Sequence, residues 1–190
     1  PSIDPFTLLA YAAACTSRIK LGISVVVLPF YDPVNLAKMS ASLDQLSGGR
    51  FILGVGIGGG RSRYPSFGFN DHHRVKRFED AIALLRCLWS ESQVNFENEF
   101  WNLERVSINP KPLQKPNIPI WFGASADSAL KRATRLGDGF MGAGTSDITT
   151  FQKVLAKLRS YLGEEGRTGA TFPISKRVYI AVDRDREAAS

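Results

Sequence analysis

A cluster of glycines directly after a short apolar segment is the part of this sequence best suited to bind a large, flat ligand. Residues 46–60 read LSGGRFILGVGIGGG, so a turn at 47–49 leads into an apolar strand with five glycines between Gly54 and Gly60. Glycine leaves no side chain in a ligand's way and permits backbone angles that other residues resist. The pattern predicts a ligand-binding strand end, and a flexible strand exit without a ligand is the alternative.

Three of these glycines also fit the G-x-G-x-x-G spacing of a dinucleotide site, namely Gly54, Gly56 and Gly59. In such a site the third glycine opens a helix whose N-terminus binds the pyrophosphate, within a strand–helix–strand unit. Here Pro65 would interrupt a helix that began at Gly59. The sequence therefore argues against a dinucleotide site.

A second candidate ligand site is GASADS, residues 123–128, ahead of a predicted helix. Backbone N–H groups at a helix N-terminus, with the hydroxyls of Ser125 and Ser128, would bind an anion such as a phosphate. Ser125 is also suited to be the N-cap of that helix, and the two roles are compatible. His72 and His73 follow the glycine cluster, and histidine is the residue type most often used as an acid or base near neutral pH. They are candidate acids or bases, with solvated loop histidines as the alternative.

The elements that would position these residues alternate along the chain between strands and helices. Apolar and β-branched runs predict strands at 19–28, 50–55, 118–122, 139–141 and 177–182. Helical spacing and capping residues predict helices at 3–16, 32–46, 74–89, 125–136 and 147–162. Residues at about 92–110 indicate a hairpin excursion. This alternation predicts a parallel sheet, either doubly wound or closed as an eight-stranded barrel.

The composition bounds the class of protein. With 190 residues, of which 44% are hydrophobic, we expect a single domain over residues 1–190. The net charge is +6. The basic residues are scattered among acidic ones, and only Arg74, Lys76 and Arg77 are closely grouped. We read that group as a solvated helix face and expect no nucleic-acid partner. Cys15 and Cys87 indicate neither a disulfide framework nor a metal site. Without a long apolar run or a signal segment, we expect a cytoplasmic protein with no membrane contact.

Four runs, in this order, resemble the luciferase-like family of flavin- and deazaflavin-dependent oxidoreductases: LGISVVVLPFYDPVNLAK, LDQLSGGRFILGVGIGG, INPKPLQKPNIPIWFGAS and ATRLGDGFM. The resemblance implies the family's (β/α)8 barrel, an α/β fold, with a reduced flavin-type cofactor at the carboxyl ends of its strands. The matching region corresponds to about strands 3 to 7 of that barrel, so we expect an incomplete barrel. Either a partner chain supplies the missing strands or the chain is a truncated product.

The resemblance also implies which residues contact the cofactor. Ser24–Val25 matches the position where many family members have a non-proline cis peptide behind the isoalloxazine ring, with an ordinary trans peptide as the alternative. The glycine-rich strand end would line the flavin, and the turn at 123–128 would bind its phosphate. The cofactor-binding residues implied in this way are Ser24, Val25, Gly56, Ile57, Gly58, Gly59, Gly123, Ala124, Ser125 and Ser128.

The sequence departs from two branches of the family within the glycine cluster. The luciferases have an arginine at the position of Ile57, and the deazaflavin-dependent sugar-phosphate dehydrogenases have an acidic residue at that of Gly59. Both are missing here. Arg61 and Arg63 are then candidate replacements as phosphate or substrate contacts, or else solvent-facing loop arginines.

Candidate catalytic residues lie near the end of the chain and in the loop after the glycine cluster. Arg177 and Tyr179 match the place where sulfonate monooxygenases of the family put an arginine and a histidine close to the substrate. Arg177 would hold an anionic substrate or stabilise developing negative charge, and a surface arginine is the alternative. His72 completes the candidate catalytic set as an acid or base.

The activity implied by the resemblance is monooxygenation of a small organic substrate with molecular oxygen and reduced FMN, which a separate flavin reductase would deliver. The alternative is hydride transfer between the 8-hydroxy-5-deazaflavin coenzyme and an alcohol, imine or enone. A second alternative is a non-catalytic flavin-binding or partner protein. A homo-oligomer or hetero-dimer is expected, because an open barrel leaves strand edges unpaired.

Overall fold

The computed structural model describes residues 3–59, 64–68, 72–144, 146–169 and 171–179. Strands and helices alternate over these residues, as the sequence predicts. The helices are α1 (Pro5–Cys15), α2 (Pro33–Leu46), α3 (Arg74–Ser90), α4 (Asp127–Leu136) and α5 (Ile148–Glu164). The strands are β1 (Leu21–Gly22), β2 (Val26–Val27), β3 (Phe51–Gly56), β4 (Val94–Glu97), β5 (Asn102–Val106), β6 (Ile120–Phe122), β7 (Gly139–Gly142) and β8 (Ile174–Lys176).

The main sheet is parallel throughout, in the order β1-β3-β6-β7-β8, with β2 also paired to β3. Leu53 pairs with Ile120, and Phe140 pairs with Phe122 on one side and Ile174 on the other. Because the strands are parallel and helices connect them, their carboxyl ends meet at one edge. The sheet is an incomplete (β/α)8 barrel, so the predicted fold class is confirmed.

The predicted continuous strand over 19–28 is wrong in one respect. β1 and β2 pair with the two halves of β3, and residues 23–25 between them form no ladder. The peptide bond between Ser24 and Val25 lies in this break and is cis. The predicted strands at 50–55, 118–122 and 139–141 are present as β3, β6 and β7, and the first predicted strand is present in broken form.

The last strand lies closer to the N-terminus than the sequence predicts. The sequence predicts a strand over 177–182, whereas β8 comprises residues 174–176 and Arg177 follows directly after it. Arg177 and Tyr179 therefore follow the carboxyl end of a strand rather than its beginning. Residues 180–182 lie outside the described part of the chain.

Aspartate caps begin three of the helices. Asp4, Asp32 and Asp147 each accept a hydrogen bond from a backbone N–H three residues later, which satisfies a donor that the first helical turn leaves open. The start of α4 differs from the prediction, because Ala126 is its N-cap and no side chain caps it. Ser125 is therefore not the N-cap of this helix.

The predicted hairpin is present as the antiparallel pair β4 and β5. A single apolar core lies between the parallel sheet and its helices, and it includes the fully buried Leu53, Leu85 and Leu130. Within the residues that the structure describes, no helix is long and apolar enough to cross a membrane.

Candidate active site

A cleft of about 600 Å³ lies where the carboxyl ends of the five parallel strand positions meet. This is the edge at which barrel enzymes place their active sites, and the volume suits a cofactor-sized ligand. The cleft is lined by Ser24, Val25, Val27, Gly56, Ile57, Gly58, Gly59, Arg74, Gly123, Ala124, Ser125, Ala126, Ala129, Met141, Ala143 and Arg177.

Glycines give this cleft a wall made largely of backbone. A Cβ atom at Gly56 would lie 2.9 Å from Cγ2 of Val25, and one at Gly123 would lie 3.0 Å from its Cγ1. The Val25 side chain therefore occupies the space that two glycines on neighbouring strands leave open. Gly58 has a φ of +79°, in the left-handed region that favours glycine. The glycine-rich strand end predicted to bind a ligand thus lies in the lining of the cleft.

Arg177 brings a positive charge into the cleft from the last strand. Its backbone N–H donates to the carbonyl oxygen of Gly142 (3.0 Å), and its side-chain Nη1 donates to the carbonyl oxygen of Ser24 (2.7 Å). The guanidinium carbon lies 5.2 Å from the ring centre of Tyr179. Tyr179 is 70% exposed and is not part of the cleft lining. The two residues predicted together thus occupy different environments.

The second charged lining residue is Arg74, the first residue of α3. The sequence predicts that Arg74 lies on a solvated helix face, whereas the structure places it, half-buried, in the cleft lining. No local signal distinguishes Arg74 from its neighbours, because its place in the cleft depends on where the loop after β3 delivers the start of α3. Lys76, two residues later, pairs instead with Asp80 at 2.6 Å.

The beginning of α4 forms the part of the lining that offers free backbone donors. Ser125, Ala126 and Ala129 line the cleft, and no side chain caps the helix there. The N–H groups of a first helical turn carry a partial positive charge and attract anions. Ser128 does not line the cleft, so its predicted hydroxyl contact with a ligand is not supported by its position.

Most of the predicted site residues come together. Ten of the thirteen candidate residues predicted from the sequence line the cleft, whereas Ser128, Tyr179 and His72 do not. His73, the neighbour of His72, lies 3.8 Å from Glu99 at the hairpin. Arg61 and Arg63 lie outside the described residues. In the described lining the ionisable side chains are Arg74 and Arg177 alone.

Five lining residues lie outside the site predicted from the sequence, namely Val27, Arg74, Ala129, Met141 and Ala143, whereas Ala126 belongs to the predicted turn at 123–128. Met141 lies in a strand that the sequence did predict, close to the carboxyl end that faces the cleft. A systematic search of the last residues of each predicted parallel strand would have found it. Ala129 offers no such signal, because an alanine one turn into a helix is typical of ordinary packing.

Glycine-walled clefts at the carboxyl ends of a parallel, barrel-type sheet define a class of ligand-binding α/β barrels. Comparison with known proteins places the chain within that class. The model of the luciferase-like monooxygenase family matches residues 1–190, and the chain belongs to this family.

Individual relatives agree with the family match. The chain is 34% identical over 168 residues to an uncharacterised protein of Mycobacterium tuberculosis, covering 88% of this chain and 57% of the relative. It is 31% identical over 185 residues to a protein of Kineococcus radiotolerans named F420-dependent glucose-6-phosphate dehydrogenase, covering 93% of this chain and 53% of the relative. The chain therefore spans little more than half the length of these curated relatives.

A solved structure shows the same architecture. A monooxygenase from Streptomyces bottropensis superposes with a TM-score of 0.82 at 28% sequence identity, covering 98% of this chain and 57% of the other. The similarity extends over almost all of the present chain, and the remainder of the other protein has no counterpart here.

The residues of the cleft fit a reduced flavin-type cofactor. A flat ring system needs a flat apolar wall, and Val25, whose side chain fills the space that Gly56 and Gly123 leave open, lies in the cleft lining beside them. A phosphate needs positive potential and free N–H donors, which Arg74 and the uncapped start of α4 supply. These two features are the structural reasons for considering such a cofactor.

Proposed function

We propose that the protein is an oxidoreductase that binds a reduced flavin-type cofactor in this cleft. The observation that carries the proposal is the combination of a glycine wall, an uncapped helix start and two arginines around one cavity of about 600 Å³. The wall suits a planar ring, and the charges suit a phosphorylated tail. Family membership supports the same class of chemistry.

Arg74 and the beginning of α4 would hold the cofactor phosphate. The guanidinium of Arg74 offers paired donors to phosphate oxygens, and the N–H groups near Ala126 add donors that no side chain occupies. The hydroxyl of Ser125 lies on the same lining. The tail would therefore be fixed by charge, which orients the ring toward the strand ends.

The side chains of Val25 and Met141 would give the ring an apolar surface to pack against. Both line the cleft, and Met141 is only 8% exposed. Apolar walls exclude water from the reacting centre and strengthen electrostatic interactions inside it. Arg177 places a positive charge at the same end, where negative charge that develops during a redox reaction would be stabilised.

The first candidate reaction is monooxygenation of a small organic substrate. Reduced FMN, when bound, supplies the activation of molecular oxygen. In the described lining there is no carboxylate or imidazole to act as a base, and the ionisable groups are both cations. The positive charge of an arginine would stabilise negative charge that develops on oxygen during such a reaction. The similar structure from Streptomyces bottropensis is described as a monooxygenase.

The second candidate is hydride transfer with the 8-hydroxy-5-deazaflavin coenzyme, known as F420. The Kineococcus radiotolerans relative is named for this coenzyme. The glycine wall suits both ring systems equally, because it recognises a flat shape and not the atom at the reacting position. An alcohol, imine or enone would be the substrate, and residues beyond the described lining would supply the acid or base.

An anaerobic titration of the protein decides between these candidates. Reduced FMN, reduced riboflavin and reduced F420 are added separately while cofactor fluorescence is followed. Tighter binding of FMN than of riboflavin supports the phosphate site, and a preference for F420 favours hydride transfer. Admission of oxygen to the FMN complex with and without candidate substrates then tests monooxygenation. Failure of a folded sample to bind any of the three would contradict the proposal and favour a non-catalytic partner protein.

A further inference from the structure

The side chain of Arg177 joins the last described strand of the half-barrel to the first. Its Nη1 donates to the carbonyl oxygen of Ser24 at 2.7 Å, across 153 positions of sequence. Ser24 lies in the break between β1 and β2, where no neighbouring strand continues the ladder. The guanidinium thus satisfies a backbone acceptor that the sheet itself does not, through a charge-assisted hydrogen bond.

The remaining nitrogens of the Arg177 guanidinium are poorly placed for bidentate binding of an anion. Nε is enclosed by protein and has no hydrogen-bond partner. Nη1 donates one of its two N–H groups to Ser24, so its second N–H and those of Nη2 are left for a ligand. Bidentate binding of a carboxylate, sulfonate or phosphate uses two neighbouring guanidinium nitrogens. The enclosed Nε excludes the Nε–Nη2 edge from such binding, which leaves only the Nη1–Nη2 edge, already held by Ser24.

A glycine makes room for this arrangement. A Cβ atom at Gly144 would lie 2.9 Å from Nε of Arg177 and 2.7 Å from Cε2 of Tyr179. Both atoms belong to side chains that can move, and Tyr179 is mostly exposed. An alanine at position 144 would displace the arginine without removing its charge or creating a core defect.

The carbonyl that Arg177 holds is adjacent to the wall of the cleft. Ser24 is bonded to Val25, whose side chain fits against the glycines at 56 and 123. Fixing the Ser24 carbonyl fixes one side of the Val25 peptide. We propose that Arg177 is a positioning residue that sets the Val25 wall, and thereby the seat of the cofactor ring, by holding the Ser24 carbonyl. The part that concerns the cofactor rests on the proposed function above.

Two substitutions test the inference from different directions. Arg177→Met keeps an unbranched apolar stem and removes the donors and the charge, while Gly144→Ala keeps the charge and shifts the guanidinium. Gly163→Ala is the matched control, because a Cβ atom there meets nothing within 4 Å. We expect both test variants, and not the control, to weaken binding of the preferred cofactor by roughly tenfold, the scale of a hydrogen bond from a charged group. The absorption spectrum of the bound cofactor should shift as well.

A second measurement needs no cofactor. Hydrogen–deuterium exchange of a peptide covering residues 21–28 is compared among the cofactor-free wild type and the two variants, with a peptide from α5 as the internal reference. Loss of the Ser24 contact should accelerate exchange in residues 21–28 and leave α5 unchanged. An overall loss of stability would accelerate exchange in both peptides.

The outcomes separate the two proposals. Faster exchange at 21–28 in both variants, in a protein that binds no flavin, supports the Ser24 contact and contradicts the proposed function. Tight cofactor binding with unchanged affinity, spectrum and exchange in both variants overturns the positioning role and leaves the proposed function standing. An Arg177→Met effect confined to the KM of an anionic substrate, with Gly144→Ala silent, would also overturn it.

Discussion

The buried carboxylate of Asp44, in α2, accepts hydrogen bonds from both the backbone and the side chain of Gln114. The distances are 3.0 Å from the Gln114 backbone N and 2.7 Å from its Nε2, and Leu113 N adds a third bond at 2.8 Å. The Gln114 amide continues to the carbonyl oxygen of Phe51 at 2.7 Å. This network ties the proline-rich connection before β6 to the beginning of β3, at the edge of the sheet opposite the cleft.

Replacing Asp44 by alanine is expected to destabilise the fold strongly. Asp44 is completely buried, and its loss removes the acceptor of the Leu113 and Gln114 backbone N–H groups and of one N–H of the Gln114 amide, which keeps its bond to Phe51. Hydrogen bonds to a charged group contribute about 1.5–3 kcal/mol, and Leu113 is 50% exposed so that water replaces part of the bonding, so a loss of about 2 kcal/mol or more is expected. Urea denaturation measures it. The control is Gln45→Ala, whose side chain donates to Lys111 O from an exposed position and should change stability by less than about 1 kcal/mol. Equal effects of the two substitutions would contradict the assignment.

Gly54→Ala is expected to prevent correct packing of β3. A Cβ atom at this position would overlap the carbonyl oxygen of Ile23 and lie 2.7 Å from Sδ of Met141. A backbone oxygen cannot move aside as a side chain can, so the cost should reach or exceed the 1–3 kcal/mol typical of overpacking. Thermal unfolding of this variant beside Gly163→Ala provides the comparison. The latter should be neutral or stabilising by up to about 1 kcal/mol, because alanine is the better helix former.

Arg74→Gln is expected to weaken FMN binding without weakening riboflavin binding. The two ligands differ by the phosphate that Arg74 is proposed to hold, and loss of one charged contact should lower FMN affinity roughly tenfold. Lys76→Gln is the control on the same helix, since Lys76 pairs with Asp80 and does not line the cleft. Equal losses for FMN and riboflavin would place Arg74 elsewhere than at the phosphate.

Ala126→Asp is expected to raise the stability of the protein and to weaken its binding of FMN. An aspartate at this uncapped N-cap position should stabilise α4 by about 1 kcal/mol, because its carboxylate accepts from the first-turn N–H groups. The same carboxylate would occupy the donors proposed for the cofactor phosphate and repel it. A higher melting temperature together with weaker FMN binding is the expected pair of results. Stronger FMN binding would show that the phosphate does not bind at this helix start.

Asp147 should make stability depend on pH in the acid range. The hydrogen bond from the Thr150 backbone N–H, at 2.6 Å, lowers the pKa of its carboxyl group in the folded state. A carboxyl group whose pKa is lowered by folding stabilises the protein fully above its unfolded pKa, near 4. That contribution disappears as the pH falls through the lower, folded value. The melting-temperature difference between wild type and Asp147→Asn should shrink as the pH falls below about 4. A constant difference would contradict the lowered pKa of the Asp147 carboxyl group.

Much of the fold could be predicted from local patterns. The helical spacing that begins at Arg74 and the aspartate before Pro33 predict helices that the structure confirms to within a few residues. The limits of β8 and the break near Ser24 were missed. Strand ends depend on which residues of a neighbouring strand remain available for pairing, and this information is distant in sequence.

The sequence by itself determined the alternation of strands and helices, the glycine cluster after the second predicted strand and the family resemblance. Each of these is carried by runs of neighbouring residues, where periodicity, capping and backbone freedom act. Only the tertiary structure decided that Arg74 lines the cleft, that His72 does not, and that Arg177 contacts Ser24. These relationships arise because parallel strands bring distant carboxyl ends to one edge, and side-chain direction there depends on the packing of several elements at once.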